Sequence, residues 1–177
     1  MSKSELNQGY PPQKDAVVRD VTHADVARIV GSDFSERIHN RLYELNILPQ
    51  GEKLIFKNPL GNHEEGESHA RYLYEGKRGK NRVYIFIISS EWGEKTSKHK
   101  HEDPVHEIIE NYYQIAGEGS AEILLDGVSH PFDEKHPFIS VAPGVAHQMV
   151  VTSGYIMGAI NMENGALVSD DQVHQPI

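Results

Sequence analysis

His99 and His101 stand two positions apart in a segment that reads as a strand. Side chains at i and i+2 share one face of a strand, with α-carbons roughly 6.5–7 Å apart. Both imidazoles can therefore turn a nitrogen onto one ion at about 2.1 Å. With 11 histidines in the chain, a chance pair on an exposed strand is the competing reading. The chain has no cysteine, which excludes disulfides, thiolate zinc sites and cysteine nucleophiles together and leaves nitrogen and oxygen as the only donors for a metal.

The order of features around the pair sharpens it. Gly93 lies six positions before His99, Glu110 lies seven before Gly117, and His147 follows the turn Pro143-Gly144. This run resembles the paired signature of the cupin superfamily, whose first motif is G-x5-H-x-H, a short gap and E-x6-G, and whose second is P-x-G-x2-H. The resemblance covers residues 91–161. It departs from the pattern in three places: eight residues separate His101 from Glu110 where the family has three or four, Ala142 takes the usual proline position, and Val151 stands where asparagine is common. Asp103-Pro104 is a good helix start, and a single helical turn over 104–109 would absorb the extra residues. Glu107 competes with Glu110 as the carboxylate, and His106 with Glu110 at i, i+4 could form a helical site of its own.

The resemblance implies an all-β fold, a double-stranded β-helix or jelly-roll barrel preceded by a helical segment. It also implies one divalent metal ion (iron, manganese, zinc, nickel, cobalt or copper) on His99, His101, Glu110 and His147, and a homodimer. Three neutral imidazoles and one carboxylate leave such an ion with a net charge of about +1 and open positions for a ligand. By strand alternation Tyr112 and Gln114 share the face of Glu110, while Met149 and Val151 share that of His147. Tyr112 and Gln114 are the candidate catalytic residues, with plain core packing as the other reading of Tyr112. A cavity with one polar and one apolar side suits a small oxygenated metabolite. Within the family, isomerases, epimerases, dioxygenases, decarboxylases and non-catalytic binders share this ligand pattern, so the resemblance leaves the reaction open. The length and helical start also resemble acireductone dioxygenases, whose motif is tighter than the gap found here.

Residues 1–21 are polar, carry Pro11-Pro12 and read as an arm without a core. Residues 22–50 read as a helical segment. Thr22 and Asp25 have capping-box spacing ahead of Val26, Ile29 and Val30, with Gly31 as a stop. Asp33 and Glu36 repeat that spacing ahead of Phe34, Ile38, Leu42 and Leu45, with Pro49 and Gly51 ending the helix. The apolar face of these helices needs the barrel or a second copy of the chain for cover. From 51 to 163 short β-like runs alternate with turn residues, as in an antiparallel barrel. Strands are expected at 53–57, 72–75, 82–89, 96–101, 110–116, 121–125, 138–141, 148–152 and 155–161, with Asp126-Gly127 and Ser153-Gly154 as hairpin turns. Residues 164–177 read as a loosely held tail.

The formal net charge of −9 argues against nucleic acid, which needs clustered lysine and arginine to displace counterions. The one basic cluster, 77–82, reads as a solvated turn. No apolar run approaches the roughly 18 residues of a membrane helix, and the start lacks a signal-peptide core, so the expected location is the cytoplasm. His63, His69, His130 and His136 read as solvated loop residues. Phosphate loops, dinucleotide fingerprints and G-x-S-x-G elements are not found.

Overall fold

Residues 83–88 form an unbroken apolar run, and a strand of that composition needs cover on both faces. In the computed structural model, which describes residues 22–58, 60–61, 70–92, 95–168 and 175–176, it has that cover. The helices are α1 (His23–Val30) and α2 (Phe34–Glu44). The strands are β1 (Leu60–Gly61), β2 (Arg71–Arg78), β3 (Asn81–Ser89), β4 (His99–Lys100), β5 (Ile109–Gly117), β6 (Ser120–Leu125), β7 (Val128–Phe132), β8 (Phe138–Val141), β9 (His147–Ser153), β10 (Tyr155–Glu163) and β11 (Gln175–Pro176). They form two sheets, one ordered β1-β2-β3-β10-β5-β8 and the other β11-β4-β9-β6-β7, with antiparallel pairing throughout.

Alternation sorts β3 and β10 between two cores. Tyr84, Phe86, Ile88, Ile156, Ile160 and Met162 face the interior between the sheets, where they meet Ile123, Phe132, Met149 and Val151. Val83, Ile85, Ile87, Tyr155, Met157 and Ala159 face outward onto Val26, Val30, Phe34, Ile38 and Leu42 of the helices. The helical segment thus finds its apolar partner on the barrel of its own chain, and it supplies no argument for a second copy.

Local signals set the ends of the helices. Thr22 caps α1 with the full reciprocal box to Asp25, and Gly31 ends it with φ at +93°. Asp33 differs from the expectation: it makes no cap bond and pairs instead with Arg37 at 3.4 Å. Helix α2 stops before Pro49. Asn46 takes φ +56°, Ile47 N donates to Leu42 O at 3.0 Å and Asn46 N to Tyr43 O at 3.1 Å, the pair of bonds that closes a Schellman finish.

Four other expectations need correction. Residues 53–57 form no strand; they run as a strap whose Leu54 N donates to His39 Nε2 at 2.9 Å and whose Lys57 N donates to Leu73 O at 3.3 Å. Buried Leu54 beside Ile55 at 81% exposure mimics strand alternation although helix side chains serve its backbone. The Asp126-Gly127 turn leads into β7, a strand the sequence hides because Ser129, His130 and Pro131 lie exposed on a sheet edge. Ser153-Gly154 is no hairpin: β9 and β10 belong to different sheets, and Gly154 carries the chain across at φ +61°. The tail is also held more closely than expected. Arg82 donates to Gly165 O at 2.6 Å and to Val168 O at 3.0 Å, Val168 joins the interior core, and β11 pairs with β4. The rest of the 77–82 cluster is the expected turn, with Gly79 at φ +61°. The arm 1–21, Gly93, His63 and His69 lie outside the described residues. Among the described residues no helix is long and apolar enough to cross a membrane.

Candidate metal centre

His99 and His147 are direct cross-strand partners, because β4 meets β9 at that one pair. His101 follows β4, and its carbonyl accepts from Gly144 N at 2.9 Å. That bond ties the 143–146 turn, in which Gly144 takes φ +75°, to the strand carrying the H-x-H pair. Glu110 comes from the opposite sheet. In register with Met162 on β10 and Val141 on β8, it points into the same interior as those two residues.

The eight residues before Glu110 make no helical turn. Asp103 Oδ1 instead accepts from Val105 N at 2.9 Å and from His106 N at 2.7 Å, and holds His106 Nδ1 at 3.1 Å. The chain then inserts Ile108 into the core, while Asn164 Nδ2 takes the carbonyl of Glu107 at 2.7 Å. The Glu107 side chain is left exposed, and His106 stays with Asp103. Of the two competing carboxylates, Glu110 is the one brought to the histidines.

The ligand atoms of His99, His101, Glu110 and His147 all lie within 4.8 Å of one another. Ring centroids are 4.3 Å apart for His99 and His147, 4.9 Å for His99 and His101, and 5.1 Å for His101 and His147. Glu110 Oε2 stands 3.0 Å from His101 Nε2 and 2.7 Å from His147 Nε2. Nδ1 of His99 lies 3.1 Å from Ser97 O, and Nδ1 of His147 lies 3.1 Å from Val145 O. Each carbonyl fixes its ring as the tautomer that carries hydrogen on Nδ1, so that the Nε2 lone pair faces the cluster.

Among the described residues His147 Nε2 makes no hydrogen bond, although Glu110 Oε2 stands 2.7 Å away. Two lone-pair atoms this close in a buried site are what a shared cation resolves, so the donor set fits a divalent ion. Burial opposes the charged form of Glu110, yet His101 and His147 outweigh it and hold the carboxyl well below its usual range. Burial likewise opposes a charged His147, but the adjacent Glu110 raises its imidazole above the ordinary value.

Tyr112 joins this site and Gln114 does not. The Tyr112 ring sits 6.2 Å from that of His147, between Phe86 and Phe132. Burial first, and then the Glu110 charge, push its hydroxyl well above the usual phenol value. Gln114 is buried on the same strand face, but its Nε2 lies 3.2 Å from where a Cβ on Gly117 would be, at the opposite end of β5 from Glu110. Its Oε1 is buried without a partner. Met149 and Val151 line the interior as alternation requires. His130 and His136 are exposed, and His136 bonds Asp133. The groups that sequence reasoning missed are the carbonyls of Ser97 and Val145, which carry no side-chain signal.

No protein-family model and no curated protein matches the sequence. Solved structures do match. Pac13 from Streptomyces, described as a unique nucleoside dehydratase, aligns with 71% of this chain and 92% of its own at a TM-score of 0.50 and 10% identity. A cupin 2 domain-containing protein from Halorhodospira halophila aligns over 59% and 69% at 0.42 and 18% identity. KdgF from Halomonas aligns over 69% and 100% at 0.46 and 14% identity. At 10% identity the Pac13 likeness speaks for the fold alone, here a two-sheet double-stranded β-helix barrel, and leaves the activity open.

Proposed function

We propose that this cupin-fold chain is a metal-dependent enzyme acting on a small polar, oxygenated metabolite. The observation that carries it is the meeting of three imidazoles and one carboxylate, drawn from both sheets, with ligand atoms within 4.8 Å of one another. His99, His101, Glu110 and His147 would hold the ion. A divalent metal in that set supplies Lewis-acid polarisation of a carbonyl or hydroxyl, or redox chemistry with dioxygen where the metal is iron, copper or nickel.

The chain's own contribution is to orient and exclude. The carbonyls of Ser97 and Val145 keep two imidazoles aimed inward. Phe86, Phe132 and Met149 keep the surroundings apolar. Tyr112, whose hydroxyl stays protonated, can donate a hydrogen bond to a substrate oxygen. The reactions proposed are isomerisation or epimerisation of a sugar-like or keto-acid substrate, or dioxygenation. The nucleoside dehydratase that shares the fold adds dehydration of a hydroxylated compound to the assays.

The test is turnover of such metabolites by metal-free protein reloaded with each metal, with and without oxygen. An isomerase works anaerobically with manganese, cobalt or zinc, whereas an oxygenase consumes oxygen and needs a redox metal. Absence of turnover under every condition would reject an enzyme. A second reading, a non-catalytic binding cupin, is favoured by the burial of most of the centre: His101, Glu110 and His147 are 3%, 2% and 1% exposed, and His99 alone of the four is part-exposed. It is distinguished by a metal-induced or ligand-induced rise in melting temperature without product.

A further inference from the structure

β4 is two residues long and carries His99, and within it β9 pairs only at His99 with His147, the flanking bonds with Met149 and Gly144 being made by Thr96 and His101. Its other edge is covered by the C-terminal strand β11, which places Gln175 opposite Lys100 and Pro176 opposite His99. The chain departs for that strand from a fixed point. Arg82, 5% exposed, donates to Gly165 O and Val168 O, and it lies in register with Met162, itself in register with Glu110. The segment after β10 is thus fastened beside the carboxylate ligand at one end and along a histidine ligand at the other.

We infer that the C-terminal strand is a positioning element of the metal centre: by pairing with β4 it fixes the backbone from which His99 projects. This rests on the metal reading above. On the β9 side the segment is anchored at Thr96 and at His101, and on its other edge at β11 alone; an edge pairing that short opens readily, and a metal ligand that must be reordered on binding lowers affinity by the cost of ordering it. The strand's donor is identifiable, since Pro176 has no N–H and Gln175 must supply it.

The experiment uses the full chain with Gln175→Pro, which removes that donor, and Gln175→Ala, which keeps it. Cobalt(II) is titrated into metal-free protein by its visible absorption, and amide exchange at Lys100 is followed without metal. Expected is an affinity about ten-fold weaker for Gln175→Pro, in the range lost when a ligand's support is removed, with faster exchange at Lys100. Gln175→Ala should match the parent in both readouts, and all three should melt at the same temperature without metal. Unchanged affinity and unchanged exchange in Gln175→Pro would overturn the inference and leave the metal reading standing. A parent that binds no cobalt would reject the metal reading, while the exchange result would still decide whether β11 holds β4.

Discussion

Glu110 and His147 face each other in the barrel interior with opposite displacements from their ordinary ionisation, and this gives the metal-free protein a defined response to pH. The contribution of His147, raised above its ordinary 6.5, is complete below that value and is lost as pH rises through the raised one. The contribution of Glu110, depressed from 4.5, is complete above that value and is lost as pH falls through the lowered one. Thermal unfolding of metal-free protein should therefore show its highest midpoint between those two ordinary values and a lower one at alkaline pH. Glu110→Gln should flatten the alkaline fall; the same slope in parent and variant would contradict the pairing. Gly117 belongs to this scale too. A Cβ there would stand 2.6 Å from the Tyr155 carbonyl on the neighbouring strand, so Gly117→Ala should cost about 1–3 kcal/mol in urea unfolding, as overpacking does. All four clustered side chains were legible in the sequence because their types and order match a known pattern, while the eight-residue gap before Glu110 left Glu107 in competition until the fold was seen. The direction of Gln114 was not, because alternation assigns a face and not the course of a long side chain along it.

Among the elements, the two helix starts look alike in sequence and differ in structure. Thr22→Ala should cost about 1 kcal/mol, the usual effect of losing a cap, whereas Asp33→Ala should cost markedly less because its carboxylate caps nothing. Equal losses in denaturant titration would contradict the difference. The strands were legible where short β-favouring runs sit between turn residues, as at Phe138–Val141 after Pro137 and before Pro143-Gly144, found with the expected bounds. They were not legible at 53–57, where alternation arises from packing under helices, nor at Val128–Phe132, whose exposed edge residues carry no apolar pattern. Ser153-Gly154 misled for a related reason. A left-handed glycine allows a sharp change of direction, but local chemistry does not say whether the chain turns back along its own sheet or crosses to the other.

Taken whole, the molecule is a two-sheet barrel whose central strands β3 and β10 are buried on both faces, by the interior on one side and by the helices on the other. Ile38 is fully buried in that outer layer, so Ile38→Ala should cost roughly 2–5 kcal/mol, as for other core truncations, although it lies far along the chain from the histidines. A cost within 0.5 kcal/mol, the usual range for surface changes, would mean that the helices are dispensable to the barrel. The centre depends on this architecture because its donors arrive from β4, β5 and β9 and meet only if the two sheets close on each other. The direct measurement is the metal content of untagged protein purified without chelator, parent against His147→Ala. About one divalent ion per chain is expected in the parent and close to none in the variant, since losing a ligand should weaken binding beyond the ~10–100-fold that loss of a ligand's support costs. A parent without bound metal, or a variant that keeps as much as the parent, would contradict the centre.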